Sequence, residues 1–159
     1  MKTLVVYYSR SGNTRRVAEM IAQRMGADVQ ELVDQRTRKG LMGWLRSGRD
    51  AIKGESAELE PLSFQPREYD LIVLGTPVWA SHPAPATRTF LTSQDLSGKK
   101  VALFCTMNAQ GGEKTCAVMK ELLAGAELAG TLAVAMKKRS ADQIRERIDD
   151  WATQLVAKA

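Results

Sequence analysis

A chain of 159 residues, 44% of them apolar, suits one globular domain, 1–159, with a buried core, and leaves no room for a second. With a formal charge of +5, two cysteines and one histidine, it excludes a disulfide framework and a histidine-built metal site, and no apolar run nears the ~18 residues that cross a bilayer. Met1-Lys2 leads straight into Thr3 without the layout of a secretory signal, so a cytoplasmic protein is expected.

The first predicted element is the apolar run from Leu4 to Tyr8, followed by a helix whose Val17, Met20, Ile21 and Met25 share one face and which ends near Gly26. A weaker strand candidate spans Asp28 to Val33. Between Gln35 and Pro66, the residues Leu41, Trp44, Leu45 and Ile52 suit one amphipathic helix with a long polar exit. Next come an apolar run from Leu71 to Leu74, a short helix around Phe90 and Leu91 beginning after Pro83 and Pro85, and a run from Val101 to Phe104. A helix carrying Val118, Met119, Leu122 and Leu123 follows. The last strand is read over Thr131 to Met136, and the last helix has the stripe Ile144, Ile148, Trp151 and Leu155, with Ser140 as its candidate cap. The strong strands are continuous rather than alternating, as in a parallel sheet covered on both faces. Strand–helix alternation then implies an α/β fold, a three-layer doubly wound five-stranded parallel sheet in the order 2-1-3-4-5.

The positive charge is uneven. Arg36, Arg38, Lys39, Arg46, Arg49 and Lys53 face only Asp50 in their stretch, and Lys137-Lys138-Arg139 form a second run. An anionic partner and a merely solvated basic surface both fit this pattern. No aromatic residues interleave with the charges as in a single-strand binding groove, so nucleic acid is not expected as a partner.

In such a sheet, ligands sit at the carboxyl ends of the strands where the strand order reverses, between strands one and three. After strand one comes Ser9-Arg10-Ser11-Gly12-Asn13-Thr14 and a helix start, a group of small donors suited to a phosphate monoester or simply to capping the helix. It is neither a Walker loop nor a Gly-x-Gly-x-x-Gly turn. After strand three come Thr76, Pro77, Val78 and Trp79, then His82 and two further prolines; Trp79 offers a flat face to an aromatic ligand. After strand four come Thr106, Met107, Asn108, Ala109, Gln110, Gly111 and Gly112, whose paired glycines allow a close approach to a ligand. His82 is either a proton donor or an exposed loop residue. Cys105 and Cys116 either meet as a redox pair or sit as buried structural thiols.

Taken together, these segments resemble the flavodoxin family over essentially the whole chain. The resemblance implies FMN as cofactor, held at its phosphate by Ser9, Ser11, Asn13 and Thr14, stacked on Trp79, and lined along its pyrimidine side by Thr106 to Gly112. It implies an electron-transferring flavoprotein whose partner is a redox protein or a quinone-like small acceptor, with a flavin-dependent quinone or NAD(P)H oxidoreductase as the alternative and a non-catalytic module as a further one. Two features depart from the carrier pattern: Arg10 inside the phosphate loop, either pairing with phosphate or turned to solvent, and the basic charge where carriers are acidic. A phosphoacceptor receiver, which shares the topology, needs acidic residues where this chain has Ser9 and Gly75-Thr76. A hydrolase has no Gly-x-Ser-x-Gly to use.

Overall fold

The computed structural model describes residues 1–36 and 56–158. The expected helix on Leu41, Trp44, Leu45 and Ile52, and the basic run from Arg38 to Lys53, lie outside the described residues.

Five strands form one parallel sheet: β1 (Thr3–Tyr7), β2 (Asp28–Glu31), β3 (Leu71–Trp79), β5 (Lys100–Met107) and β6 (Glu127–Ala135). Their order is β2-β1-β3-β5-β6, and the two-residue β4 (His82–Pro83) pairs antiparallel with the end of β3. With β4 set aside, this is the order expected from the sequence. The register places Val6 beside Leu74 and Leu74 beside Leu103.

Alternate residues of each strand supply two separate cores, because successive side chains point to opposite faces. On one face Leu4, Val6, Ile72, Leu74 and Leu103 pack under Phe90 of α2 (Pro85–Ser93) and Met119 of α3 (Gly112–Glu121). On the other, Val5, Val73, Ala102 and Phe104 pack under Val17 and Ile21 of α1 (Asn13–Met25) and Ile148 and Trp151 of α4 (Ala141–Ala157). Burial on both faces is what makes the strand sequences continuous. Ser140 caps α4 through a reciprocal pair, its Oγ accepting from Gln143 N–H at 3.2 Å and its own N–H donating to Gln143 Oε1 at 3.0 Å.

Several boundaries differ from the sequence expectation: β2 ends at Glu31 rather than Val33, and β5 runs from Lys100 to Met107 rather than from Val101 to Phe104. β3 runs on to Trp79, because Gly75, Thr76 and Pro77 stay paired with β5 and Val78 and Trp79 then gain β4 as a partner. β6 starts at Glu127 rather than Thr131, with a register shift opposite Val101 and Ala102. There Gly130 approaches α4 so closely that an added Cβ would lie 3.1 Å from Leu155 Cδ2 and 3.2 Å from Trp151 Nε1. α3 ends at Glu121, so Leu122 and Leu123 pack from the turn that follows it.

Candidate functional site

The carboxyl ends of β1, β3 and β5 lie side by side, and the three loops leaving them enclose a cleft of about 380 Å³. The first wall is the entry to α1. Gly12 is its N-cap at φ 95°, a left-handed conformation that a residue with a Cβ adopts only at a cost. Gly12 N–H donates to Ser9 Oγ at 3.2 Å, which closes the loop on itself. A glycine cap has no side chain to offer the first-turn amides of Asn13, Thr14 and Arg15, and no acidic residue stands in that turn. These N–H groups have no intrahelical acceptor, and the helix dipole adds positive potential at the same place. Ser11 and Asn13 line the cleft beside them.

Arg10, for which the sequence left solvent open, is half-buried in the cleft wall with its Nη1 buried. Arg15, on the outer side, is held away by Glu31: its Nη2 donates to Glu31 Oε1 at 2.6 Å and its Nε to Tyr7 Oη at 3.2 Å. Burial pushes the Tyr7 phenol upward, and the bond from Arg15 partly offsets that.

The second wall is a β-hairpin. Trp79 pairs with His82 across a two-residue turn, Ala80-Ser81, in which both residues have positive φ, 50° and 61°. This is the type I′ pattern that matches strand twist, built here without glycine or asparagine. The hairpin presents Pro77, Val78 and Trp79 to the cleft. Trp79 is steadied by Tyr8, whose ring stands edge-on at 5.6 Å and 89°. Thr76 is fully buried and does not line the cleft: its Oγ1 accepts from Ala84 N–H at 2.9 Å and donates to the Pro77 carbonyl at 3.0 Å, pinning the hairpin's base. His82 lies outside the cleft lining, its Nδ1 donating to the Ala80 carbonyl at 2.8 Å.

The third wall is Thr106, Met107 and Asn108. Thr106 and Thr14, both buried, share a hydroxyl–hydroxyl bond of 2.8 Å that ties the first loop to the third. Gly111, at φ 94°, caps α3 against the hairpin, where an added Cβ would come within 3.0 Å of both Ser81 Oγ and Val78 Cγ1. Gly112 is hemmed in by Ala133, Met107 and Cys105. Thus Ser9, Gly12, Thr14, Thr76, Gly111 and Gly112 shape the cleft from behind. Gln110 is exposed and outside the lining. Sequence reasoning missed the left-handed pair Ala80-Ser81, since neither residue type signals such a turn.

A parallel sheet in this order, with a cleft built by the loops after β1, β3 and β5, defines the flavodoxin-like class of α/β proteins. A flavodoxin family model matches residues 2–151, and the chain belongs to the flavodoxin family, whose members bind FMN. Among solved structures, a flavoprotein from Lactobacillus acidophilus NCFM, in complex with FMN, is 25% identical at a TM-score of 0.73, over 95% of this chain and 98% of that one. Oxidised flavodoxin 2 from Bacillus cereus is 25% identical at a TM-score of 0.64, over 100% of both chains. Flavodoxin 1 from the same organism, at 21% identity and a TM-score of 0.59 over 99% and 98%, shares the fold. No functionally curated protein matches the chain at a significant level.

Proposed function

We propose that the cleft binds FMN and that the protein passes electrons through it to a redox partner protein or a quinone-like small acceptor. The observation that carries this reading is the start of α1, whose N-cap Gly12 gives its amides no side-chain cap, at a cleft that the indole of Trp79 also lines. The donor set fits a phosphate monoester: amides at a helix N-terminus, Ser11 and Asn13 beside them, and the Arg10 guanidinium in the same wall. The hairpin and the third loop supply Pro77, Val78, Trp79 and Met107 as apolar lining for a flat ring.

Bound FMN supplies reversible electron transfer; the protein orients it and controls access. In this assignment Arg10, Ser11, Asn13 and the first-turn amides hold the phosphate. Trp79 stacks on the ring system, steadied by Tyr8. Pro77 and Val78 limit water on that side, and Thr106 to Asn108 meet the polar edge of the ring. The +5 charge favours an acidic partner or an anionic small acceptor over the basic partners suited to acidic carriers.

Fluorescence titration of the flavin-free protein with FMN and with riboflavin tests the reading. FMN is expected to bind at least about tenfold more tightly, because one charge-assisted hydrogen bond alone contributes about 1.5–3 kcal/mol. Equal affinities would remove the phosphate assignment, and absence of binding by either would remove the flavin.

A further inference from the structure

Cys105 and Cys116 are free thiols with their Sγ atoms 3.8 Å apart. Cys105 is the residue before Thr106 on β5, and Cys116 lies in the second turn of α3. The segment between them therefore contains the whole third loop. Gly112 leaves the space between helix and strand clear, since any Cβ there would already crowd Cys105 Sγ at 3.2 Å. Access differs between the two thiols. Cys105 is fully buried, whereas Cys116 is 6% exposed and opens on a second cleft of about 290 Å³, lined also by Glu113, Lys120, Leu128 and Thr131. The contact with Cys116, and then burial, drive the Cys105 thiol well above the ordinary range, while that contact lowers Cys116. The less deeply buried thiol is thus also the one whose ionised form the contact favours.

We propose that Cys105 and Cys116 are a peroxide-responsive dithiol that closes to an intramolecular disulfide across the third loop and weakens FMN binding when closed. The second clause rests on the FMN reading; the first does not. The Cys116 thiol loses its proton and the thiolate attacks a hydroperoxide, forming an S–O bond as the O–O bond breaks; the alkoxide or hydroxide that departs takes up that proton and leaves as alcohol or water. The Cys105 thiol then attacks that sulfur, forming the S–S bond and releasing water with its own proton. Two thiols lose two electrons in total, and one hydroperoxide gains them. Closing the sulfurs from 3.8 Å to the bonded separation of about 2.05 Å draws α3 toward β5. There is no room beside Gly112 even for an added Cβ, which would lie 2.8 Å from Ala133 Cβ and 2.9 Å from Met107 Sδ, so the strain falls on the loop from Met107 to Gly111, one wall of the cleft.

The experiment treats the full chain with hydrogen peroxide, then counts thiols after denaturation and records intact mass. The expected result is loss of both thiols per monomer, a mass lower by two hydrogens, a proteolytic peptide joining residues 105 and 116, and full recovery with dithiothreitol. Cys116→Ser is expected to leave Cys105 unreacted. Persistence of both thiols, or oxidation that yields only linked dimers or a sulfinic acid at Cys116, overturns the dithiol. FMN titration of the reduced and oxidised proteins reads the second clause, with a several-fold rise in dissociation constant expected on oxidation. A disulfide that leaves FMN affinity unchanged overturns the link to the cleft. Failure of both forms to bind FMN overturns the flavin reading, while the thiol count still judges the disulfide.

Discussion

At the scale of single residues, the bond between Thr14 and Thr106 separates architecture from ligand contact. Residue types at a helix start are legible: Ser11, Gly12 and Asn13 mark a turn of small donors suited either to an anion or to capping the helix. Direction is not legible. Thr14, the second residue of α1, reads as one more donor, yet its hydroxyl points back to Thr106, 92 residues away, at 2.8 Å. Thr14→Val strands the buried Thr106 hydroxyl and is expected to lower stability by about 1–3 kcal/mol. The double variant Thr14→Val with Thr106→Val removes both polar groups at nearly constant shape, so most of that loss should return. Urea denaturation of the four proteins in the cycle measures the coupling. Additive losses would show that the two hydroxyls do not depend on one another. Thr76 teaches the same lesson, since its hydroxyl is spent on Ala84 and Pro77 inside the hairpin.

At the scale of elements, legibility followed burial. β1, β3 and β5 are covered on both faces and show as unbroken apolar runs, so their existence and order could be argued from the sequence alone. The edge strand β6 has exposed or half-exposed residues from Glu127 to Thr131, and its first half therefore lacks that signal. The hairpin of β3 and β4 was hidden for another reason. A two-residue turn with both φ values positive is normally marked by Asn-Gly or Asp-Gly, and here it is Ala80-Ser81. A left-handed residue with a Cβ costs about 1–2 kcal/mol, and asparagine recovers part of this. Ala80 is exposed and lies outside the cleft lining, so Ala80→Asn should raise stability by about 0.5 kcal/mol without altering ligand affinity. Thermal unfolding detects the first effect. A lower melting temperature would mean that the alanine methyl makes a contact worth more than the strain.

At the scale of the whole molecule, the two ends of the sheet do different work. The end opposite the cleft is tied together at Tyr69, whose hydroxyl donates to Asp28 Oδ2 at 2.8 Å, whose carbonyl accepts from Lys99 Nζ at 3.0 Å, and whose ring lies under Lys2 Nζ at 4.4 Å. Burial, then the bond to Asp28, push this phenol up to about 12. A folded pKa above the unfolded value of about 10 means that Tyr69's contribution is complete below pH ~10 and lost as pH rises toward ~12. Tyr69→Phe should therefore flatten that alkaline loss, as read by denaturation at stepped pH; an unchanged slope would place the loss elsewhere. At the cleft end the charge works on the ligand instead. Reduction adds negative charge to a flavin, and a unit positive charge about 10 Å away stabilises it by roughly 0.4 kcal/mol in water and roughly 1.7 kcal/mol at an effective dielectric of about 20. For one electron this corresponds to about 20–70 mV. Arg15 is turned to Glu31 on the outer side, and Arg10, in the cleft wall, is the guanidinium placed beside the ligand. Arg10→Gln is expected to lower the midpoint potential of bound FMN by tens of millivolts. The distant part of the +5 charge lies beyond the screening length of about 8 Å at physiological salt, so its share should fade as salt is raised while the Arg10 share persists. Spectroelectrochemistry of both proteins at two ionic strengths distinguishes these contributions. A potential that ignores both the substitution and the salt would mean that hydrogen bonds from the third loop, rather than charge, set the flavin's affinity for electrons.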